Sequence, residues 1–121
     1  MKGLIIKSPW IDLIFEWHKT WEIRGSNTNI RGEVALIKSG TGMIFGTVDV
    51  VDSIPLTESL YETSFGEHRI KENYNQLPYK KPYAWILENP VVYPEPIPYK
   101  HPQGAVIWVN LDREEEYYDP S

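Results

Sequence analysis

The chain has 121 residues, a formal net charge of −5, 41% hydrophobic residues and 13% aromatic residues. This length and composition suit one globular domain with a modest core and exclude a disordered chain. The absence of cysteine excludes disulfides, cysteine-based zinc sites and a cysteine nucleophile. No segment has the features of a signal peptide or approaches the about 20 apolar residues of a membrane span, so we expect a soluble, cytoplasmic protein without membrane contact.

The charges are distributed unevenly along the chain. The last ten residues, "DREEEYYDPS", contain five acids and one base, which leaves residues 1–111 close to neutral. Residues 1–38 contain six bases and four acids, a far smaller excess than a DNA-binding surface carries. We therefore expect any nucleic-acid contact to be local and pocket-like. Residues 1–111 are expected to form the domain, and the acidic tail at 112–121 is expected to be flexible.

The first elements are a strand and a helix. "GLIIK" is typical of a short buried strand. In "SPWIDLIFEW", Ser8 suits an N-cap and Pro9 suits the first helical turn. Four apolar residues then recur at i, i+3, i+4 and i+7, which predicts that they share one face of a helix: Trp10, Leu13, Ile14 and Trp17.

"KTWEIR" has the alternation of a strand, with Thr20, Glu22 and Arg24 on one side and Trp21 and Ile23 on the other. After the polar loop "GSNTNIRG", "EVALIK" and "MIFGTVDVVDSI" are predicted strands joined by a turn at "SGTG". The glycine within the second of them, Gly46, indicates a bulge or a close backbone approach.

The second half of the chain is richer in proline. "LTESLYETSFGEHRIKENYNQ" predicts one or two short helices, with Ser59 and Glu62 spaced as a capping box. "YAWILENPVVY" predicts a strand interrupted at Pro90, and "PEPIPYKHPQG", with four prolines in eleven residues, predicts a rigid connector. "AVIWVNL" is typical of a central strand. Together these elements predict a mainly β (α+β) fold, a small barrel with a few short helices around it, with an α+β sandwich as the alternative.

Three charged residues near the helix–strand junction form the candidate site. Alternate residues of a strand lie about 6.5–7 Å apart on one side, so Glu22 and Arg24 could flank a small planar group. Lys19 could point at the same spot. The alternative is a solvated strand face whose ion pair contributes at most about 1 kcal/mol, and spacing alone favours this alternative.

Other polar residues give weaker signals. The three histidines, His18, His68 and His101, have no metal-binding spacing, and we expect no metal or cofactor. His101 lies in the proline-rich connector and could line a cleft. "SGTG" suits a hairpin turn better than a phosphate loop, although Ser39 and Thr41 could donate hydroxyls beside a site.

Three segments resemble the ASCH domain family. They are "PWIDLIFEWHKTWEIRG", "IRGEVALIKSGTG" and the closing "HPQGAVIWV", and the resemblance extends from Gly3 to about Leu111. The family pattern G-x-K-x-x-E-x-R is matched at its last three fixed positions by the charged residues of the candidate site. Its glycine falls on Trp17, a bulky residue that could narrow the mouth of a cleft or pack with the helix.

The resemblance implies a PUA-like β-barrel with a cleft, lined by these charged residues, that engages RNA or nucleotide-like ligands. Some family members are hydrolases. One branch deacetylates N4-acetylcytidine with a lysine that matches Lys19, but its threonine falls on Glu22, and Glu62 and Glu67 are the candidates for its catalytic glutamate. Other members cleave RNA.

Three functions therefore remain open. In the favoured one, the protein binds single-stranded RNA or a modified nucleotide: a base stacks on Trp10, Trp17 or Tyr99, Glu22 and Arg24 bind its edge, and Lys19 meets phosphate. In the second, it is a hydrolase of RNA or of a modified nucleoside, with Glu22 as general base and Lys19 as electrostatic partner or acid. In the third, the acidic tail docks on a basic protein.

Overall fold

The computed structural model describes residues 1–111. The expected acidic tail at 112–121 lies outside the described residues. The described chain contains six strands, three short α-helices and one 3₁₀ helix. In chain order they are β1 Lys2–Ile6, α1 Trp10–Glu16, β2 Trp21–Arg24, β3 Gly32–Lys38, β4 Met43–Pro55, α2 Glu58–Glu62, α3 Phe65–His68, the 3₁₀ helix Tyr74–Gln76, β5 Tyr83–Pro98 and β6 Trp108–Asn110.

The six strands form one mixed sheet in the order β2-β5-β4-β3-β1-β6. β1 and β3 are parallel, and the other neighbouring pairs are antiparallel. The sheet curls into a half-barrel, so Trp108 of β6 stacks on Trp85 of β5 at 5.7 Å between ring centroids, although three strands separate β5 from β6. The predicted mainly β fold with a small barrel and short helices is confirmed.

Side-chain alternation along β1 places its apolar residues in two separate clusters, one on each face of the sheet. Leu4 and Ile6 of β1 pack on one face with α1, whose Ile11 and Ile14 are buried there. Ile5, between them in sequence, belongs to a second cluster on the other face. The sheet is therefore covered on both faces near β1, as expected for a strand with a continuous apolar run.

A third apolar cluster holds the helical segment to the sheet. Tyr61 of α2 and Leu56 pack with Ile23 of β2 and Ala84 of β5. The Tyr61 hydroxyl also donates to the Glu72 carbonyl at 2.6 Å. These contacts fix residues 56–79 beside β2, where they border the cavity described below. Among residues 1–111, no helix is long and apolar enough to cross a membrane.

The predicted start and face of the first helix are partly wrong. Pro9 occupies the N-cap position, and the Ser8 hydroxyl instead donates to the Asp12 carboxylate at 2.7 Å. The helix ends at Glu16, so Trp17 falls beyond the last helical residue and is 60% exposed. The buried face is centred on Ile11 and Ile14 because the helix packs on β1 and β5 through these residues.

The helical segment after Pro55 also differs in detail. It contains three short helices, and the predicted capping box at Ser59 and Glu62 is wrong. Thr57 is the N-cap of α2, and its hydroxyl accepts from the Leu60 N–H at 3.1 Å. The capping box of this segment lies at Asn73 and Gln76, around the 3₁₀ helix.

The last two strands were predicted with wrong limits. β5 continues through Pro90 to Pro98, and a change of register against β4 accommodates the irregular backbone at Asn89, whose φ is +53°. Within residues 1–111, β6 is a three-residue edge strand that pairs with β1 alone, not a central strand. The apolar residues before it are exposed, with Val106 76% accessible, although the Ile107 carbonyl already accepts from the Ile5 N–H of β1 at 2.9 Å.

The prediction for Gly46 is confirmed in both senses. The register of β4 shifts next to Gly46 on both neighbouring strands. A Cβ at Gly46 would collide with the Val91 carbonyl oxygen and lie 2.8 Å from Phe15 Cζ. The glycine therefore permits a close approach of β5 and α1 to β4.

We expect Gly46→Ala to lower the free energy of unfolding by about 3 kcal/mol, because a backbone carbonyl cannot move aside cheaply. Gly66→Ala is the matched control, since nothing lies within 4 Å of its Cβ position. It should be within about 1 kcal/mol of wild type. Urea unfolding followed by tryptophan fluorescence measures both, and equal stabilities of the two variants would contradict the close-approach interpretation.

Candidate functional site

A cavity of about 430 Å³ lies between the two ends of the curled sheet. The wall on the β1 side, here called the β1 wall, consists of Ile5, Lys7, Trp10, Ser39 and Val106. Four lining residues come from the helix–strand junction and β2: Lys19, Glu22, Ile23 and Arg24. The opposite wall, here called the 70–79 wall, consists of Ile70, Glu72, Gln76, Leu77, Pro78 and Tyr79.

Lys19 lies in the connection between α1 and β2, and its side chain is 1% exposed. Its Nζ donates to the Trp21 carbonyl at 2.7 Å and to the His68 carbonyl at 2.6 Å. Glu22 Oε1 is 3.8 Å away, and the centroid of the Trp10 ring is 5.0 Å away. The ammonium is thus surrounded by groups that favour its charged form.

Burial lowers the pKa of Lys19 from 10.5 to about 8, and the Glu22 carboxylate opposes that decrease. The nearby Arg24 and Arg69 guanidinium groups lower the pKa further. With a pKa of about 8, the amine is still mostly protonated at pH 7. Lys19 is therefore a buried cation, held by two backbone carbonyls.

Glu22 and Arg24 extend from the same face of β2, as their alternation predicts. Arg24 Nε donates to Glu22 Oε2 at 2.9 Å, and Arg24 Nη2 donates to the Ile5 carbonyl of β1 at 2.8 Å. Since β2 and β1 lie near opposite ends of the sheet order, this second bond spans the gap of the half-barrel. The guanidinium also lies over the Trp85 ring, 5.5 Å from its centroid.

The 70–79 wall is anchored through His68. The His68 ring is buried and stacks on Tyr61 at 4.1 Å. Its Nδ1 accepts from the Ile70 N–H at 2.9 Å, and its Nε2 donates to the Tyr61 carbonyl at 2.8 Å. These partners fix the neutral tautomer, and burial lowers the pKa of His68. Lys19 therefore connects the helix–strand junction directly to the start of the opposite wall.

Five of the nine residues proposed from sequence line the cavity: Trp10, Lys19, Glu22, Arg24 and Ser39. The other four lie outside it. Trp17 projects into solvent beyond α1, so the bulky residue at the glycine position of the family pattern neither narrows the cavity nor packs with the helix. The Thr41 hydroxyl donates to the Lys38 carbonyl within the β3–β4 turn. Tyr99 and His101 bond to each other at 2.7 Å in the connector.

The two glutamates considered for deacetylation also lie elsewhere. Glu62 and Glu67 are exposed on α2 and α3, and neither lines the cavity. Glu72 lines it instead. Lys7 and Tyr79 also line the cavity, and no recognisable motif in the sequence marks either of them. Gly25 is the sequence feature connected with Tyr79, because the Tyr79 ring lies against this glycine. A Cβ at Gly25 would lie 2.7 Å from the ring.

The charges around the cavity are mixed. Lys7, Lys19 and Arg24 supply three positive charges, and Glu22 and Glu72 supply two negative charges. Within residues 1–111, no group of three or more histidines and carboxylates is placed to hold a metal ion. The arrangement can accept and donate hydrogen bonds and can stack planar groups on Trp10 and Tyr79.

The ASCH domain model matches residues 4–98. The chain belongs to the ASCH domain family. ASCH domains have a PUA-like fold that is often associated with RNA binding. The cavity of this ASCH domain therefore brings together three fixed positions of the family pattern, Lys19, Glu22 and Arg24.

Solved ASCH structures share this fold. A serine-to-alanine mutant of the ASCH protein from Zymomonas mobilis is 15% identical, with a TM-score of 0.71 over 94% of this chain and 89% of that one. The unmutated protein is 14% identical, with a TM-score of 0.65 over the same shares of the two chains. No curated protein matches this ASCH domain in sequence.

We expect Glu22→Gln to lower the pKa of Lys19 below its value of about 8, because the Glu22 carboxylate is the charge that raises it. Side-chain NMR titration of the Lys19 Cε and Hε signals measures this pKa. Glu33→Gln, which removes a charge from an exposed position on β3, is the control and should leave the titration unchanged. An unchanged Lys19 pKa in Glu22→Gln would contradict the coupling.

Lys19 also predicts a pH dependence of stability. Between about pH 8 and 10.5 the unfolded chain binds more protons at Lys19 than the folded chain, so the free energy of unfolding rises with pH, by up to about 3 kcal/mol. The free energy of unfolding of Lys19→Met lacks this rise. The substitution also leaves Glu22 and two carbonyls without their cation, which lowers the free energy of unfolding by about 3–5 kcal/mol. Its deficit relative to wild type should therefore widen from pH 8 to 10.5 in urea unfolding. A constant deficit would show that Lys19 titrates normally when folded.

Proposed function

We propose that this ASCH domain binds a single unpaired nucleotide, as part of single-stranded RNA or as a modified nucleotide, with its base in the cavity between the β1 wall and the 70–79 wall. The observation that carries the proposal is the state of Glu22. Its carboxylate is 7% exposed and fixed between two cations. Such a fixed acceptor is suited to the N–H groups on the edge of a base.

The two oxygens of Glu22 have different roles. Oε2 accepts from Arg24 Nε at 2.9 Å, whereas Oε1 lies 3.8 Å from Lys19 Nζ, beyond hydrogen-bonding distance. Oε1 therefore retains its capacity to accept a hydrogen bond from a ligand. Because the carboxylate is already desolvated and oriented, a ligand N–H gains this bond without ordering a flexible side chain.

The size and lining of the cavity suit a base. A volume of about 430 Å³ lies at the small end of ligand pockets, which span about 300–1,000 Å³. Trp10 belongs to the β1 wall and Tyr79 to the 70–79 wall, and aromatic side chains can stack on bases of any sequence. The mixed charges and the net charge of −5 favour contact with one or a few nucleotides over tracking of a long phosphate backbone.

One observation favours an enzymatic alternative, hydrolysis of RNA or of a modified nucleoside. The pKa of Lys19 is lowered to about 8, close to the range of a general acid near neutral pH. In this alternative Glu22 activates water and Lys19 donates a proton or stabilises negative charge. Binding remains the first proposal because two carbonyls already hold the Lys19 ammonium at 2.6–2.7 Å.

We expect isothermal titration to detect binding of at least one nucleoside monophosphate or short oligoribonucleotide. Glu22→Gln should weaken that binding by about tenfold, because a charged acceptor becomes a neutral one. Glu33→Gln is the matched control, with the same chemical change on β3 away from the cavity. Absence of heat at millimolar concentration for all four bases, alone and within oligonucleotides, would refute the proposal.

The same samples test the alternative. Oligoribonucleotide and N4-acylated cytidine are incubated with wild type, Lys19→Met and Glu22→Gln, each verified as folded by NMR. Turnover that disappears in both variants would establish the hydrolase. Turnover unchanged by either substitution would place any hydrolysis outside this cavity.

A further inference from the structure

Three cations line the cavity, but they differ in what they already bind. Lys19 is held by the Trp21 and His68 carbonyls and lies near Glu22. Arg24 is held by Glu22 and by the Ile5 carbonyl. Lys7, within residues 1–111, has neither an ion pair nor a side-chain hydrogen bond, and it is exposed at the β1 wall. We propose that Lys7, with the Ser39 hydroxyl, binds the phosphate of the nucleotide. This inference rests on the proposed function.

Lys19 is unsuited to this role. Its side chain is 1% exposed, so a phosphate could reach Nζ only after losing its own hydration. Two of its three N–H groups are used by carbonyls at 2.6 and 2.7 Å. The sequence-based expectation that Lys19 meets phosphate therefore gives way to a structural role, in which the lysine orients Glu22 and the 70–79 wall.

Arg24 is constrained by different partners. Its bonds to Glu22 Oε2 and the Ile5 carbonyl hold the guanidinium against the Trp85 ring, and its side chain is 16% exposed. A phosphate placed against this guanidinium would also lie near the Glu22 carboxylate. Like-charge repulsion in a partly desolvated site makes that position unfavourable.

Lys7 and Ser39 are positioned by their backbones while their side chains remain free. The Lys7 carbonyl accepts from the Ile11 N–H at 3.2 Å, and the Ser39 N–H donates to the Ile6 carbonyl at 2.9 Å. Both residues line the β1 wall. Within the described residues, no partner uses the Ser39 hydroxyl, so an ammonium and a hydroxyl are available at the same wall.

The opposite wall determines the direction of the ligand. Glu72 lines the 70–79 wall and is exposed, and within residues 1–111 its carboxylate forms no ion pair. The cavity therefore has a free cation on one side and a free anion on the other. A nucleotide lowers its electrostatic energy by placing its phosphate toward Lys7 and its sugar or base donors toward Glu72.

The test compares each of the four nucleosides with its 5′- and 3′-monophosphates by isothermal titration. In wild type, we expect at least one monophosphate to bind about fivefold more tightly than its nucleoside, the gain of a partly exposed charge pair. Lys7→Ala should abolish this difference without changing nucleoside affinity. Lys2→Ala, which removes the same charge from the exposed first residue of β1, outside the cavity, should preserve it.

A single-stranded oligoribonucleotide provides a second readout. Lys7→Ala should reduce the slope of log K against log salt concentration by about 0.7, the value for one lost phosphate contact. A phosphate-dependent gain that persists in Lys7→Ala would overturn the inference, as would a wild type that binds nucleosides and monophosphates equally. If the wild type binds none of the nucleosides, monophosphates or oligoribonucleotides, the proposed function itself is refuted.

Discussion

The buried ammonium of Lys19 is the constraint on which the site depends. A desolvated charge is tolerated only when surrounding groups replace the lost water, and Lys19 meets this requirement with the Trp21 and His68 carbonyls and the Glu22 carboxylate. These partners come from β2 and from the end of α3, which are far apart in sequence. Satisfying one lysine therefore brings the helix–strand junction, the first edge strand and the start of the 70–79 wall to a common point.

Arg24 has the equivalent role at the gap of the half-barrel. β6 pairs with Lys2, Gly3 and Leu4 of β1 and does not extend to Ile5. Arg24 donates from β2 to the Ile5 carbonyl, so the guanidinium links β2 to β1 across the gap of the half-barrel. Because Arg24 also donates to Glu22 Oε2, the side chain that links β2 to β1 also orients the Glu22 carboxylate at the cavity.

The sequence predicts those parts of the molecule that depend on local periodicity. The alternation around Trp21–Arg24 correctly placed Glu22 and Arg24 on one side, and Gly46 marked the bulge of β4. Local periodicity did not predict the features that depend on tertiary contacts. "AVIWVNL" has the apolar content of a central strand, yet only three of its residues pair with a strand, and that strand is β1. Glu72 and Tyr79 reach the cavity from the segment between α3 and β5, where no periodic pattern in the sequence marks their side chains. Trp17 leaves the helix stripe because α1 ends one residue earlier.

The partners of the charged residues show that the site is built largely on the backbone. Lys19 donates to two backbone carbonyls and Arg24 to a third, and a carbonyl is present whatever side chain its residue carries. The arrangement therefore depends on the backbone fold, on Glu22 and on the Trp10 and Trp85 rings that lie beside the two cations. The charged residues with these partners are thus occupied in building the cavity, whereas Lys7, Ser39 and Glu72 line its walls without an ion pair or a side-chain hydrogen bond within residues 1–111.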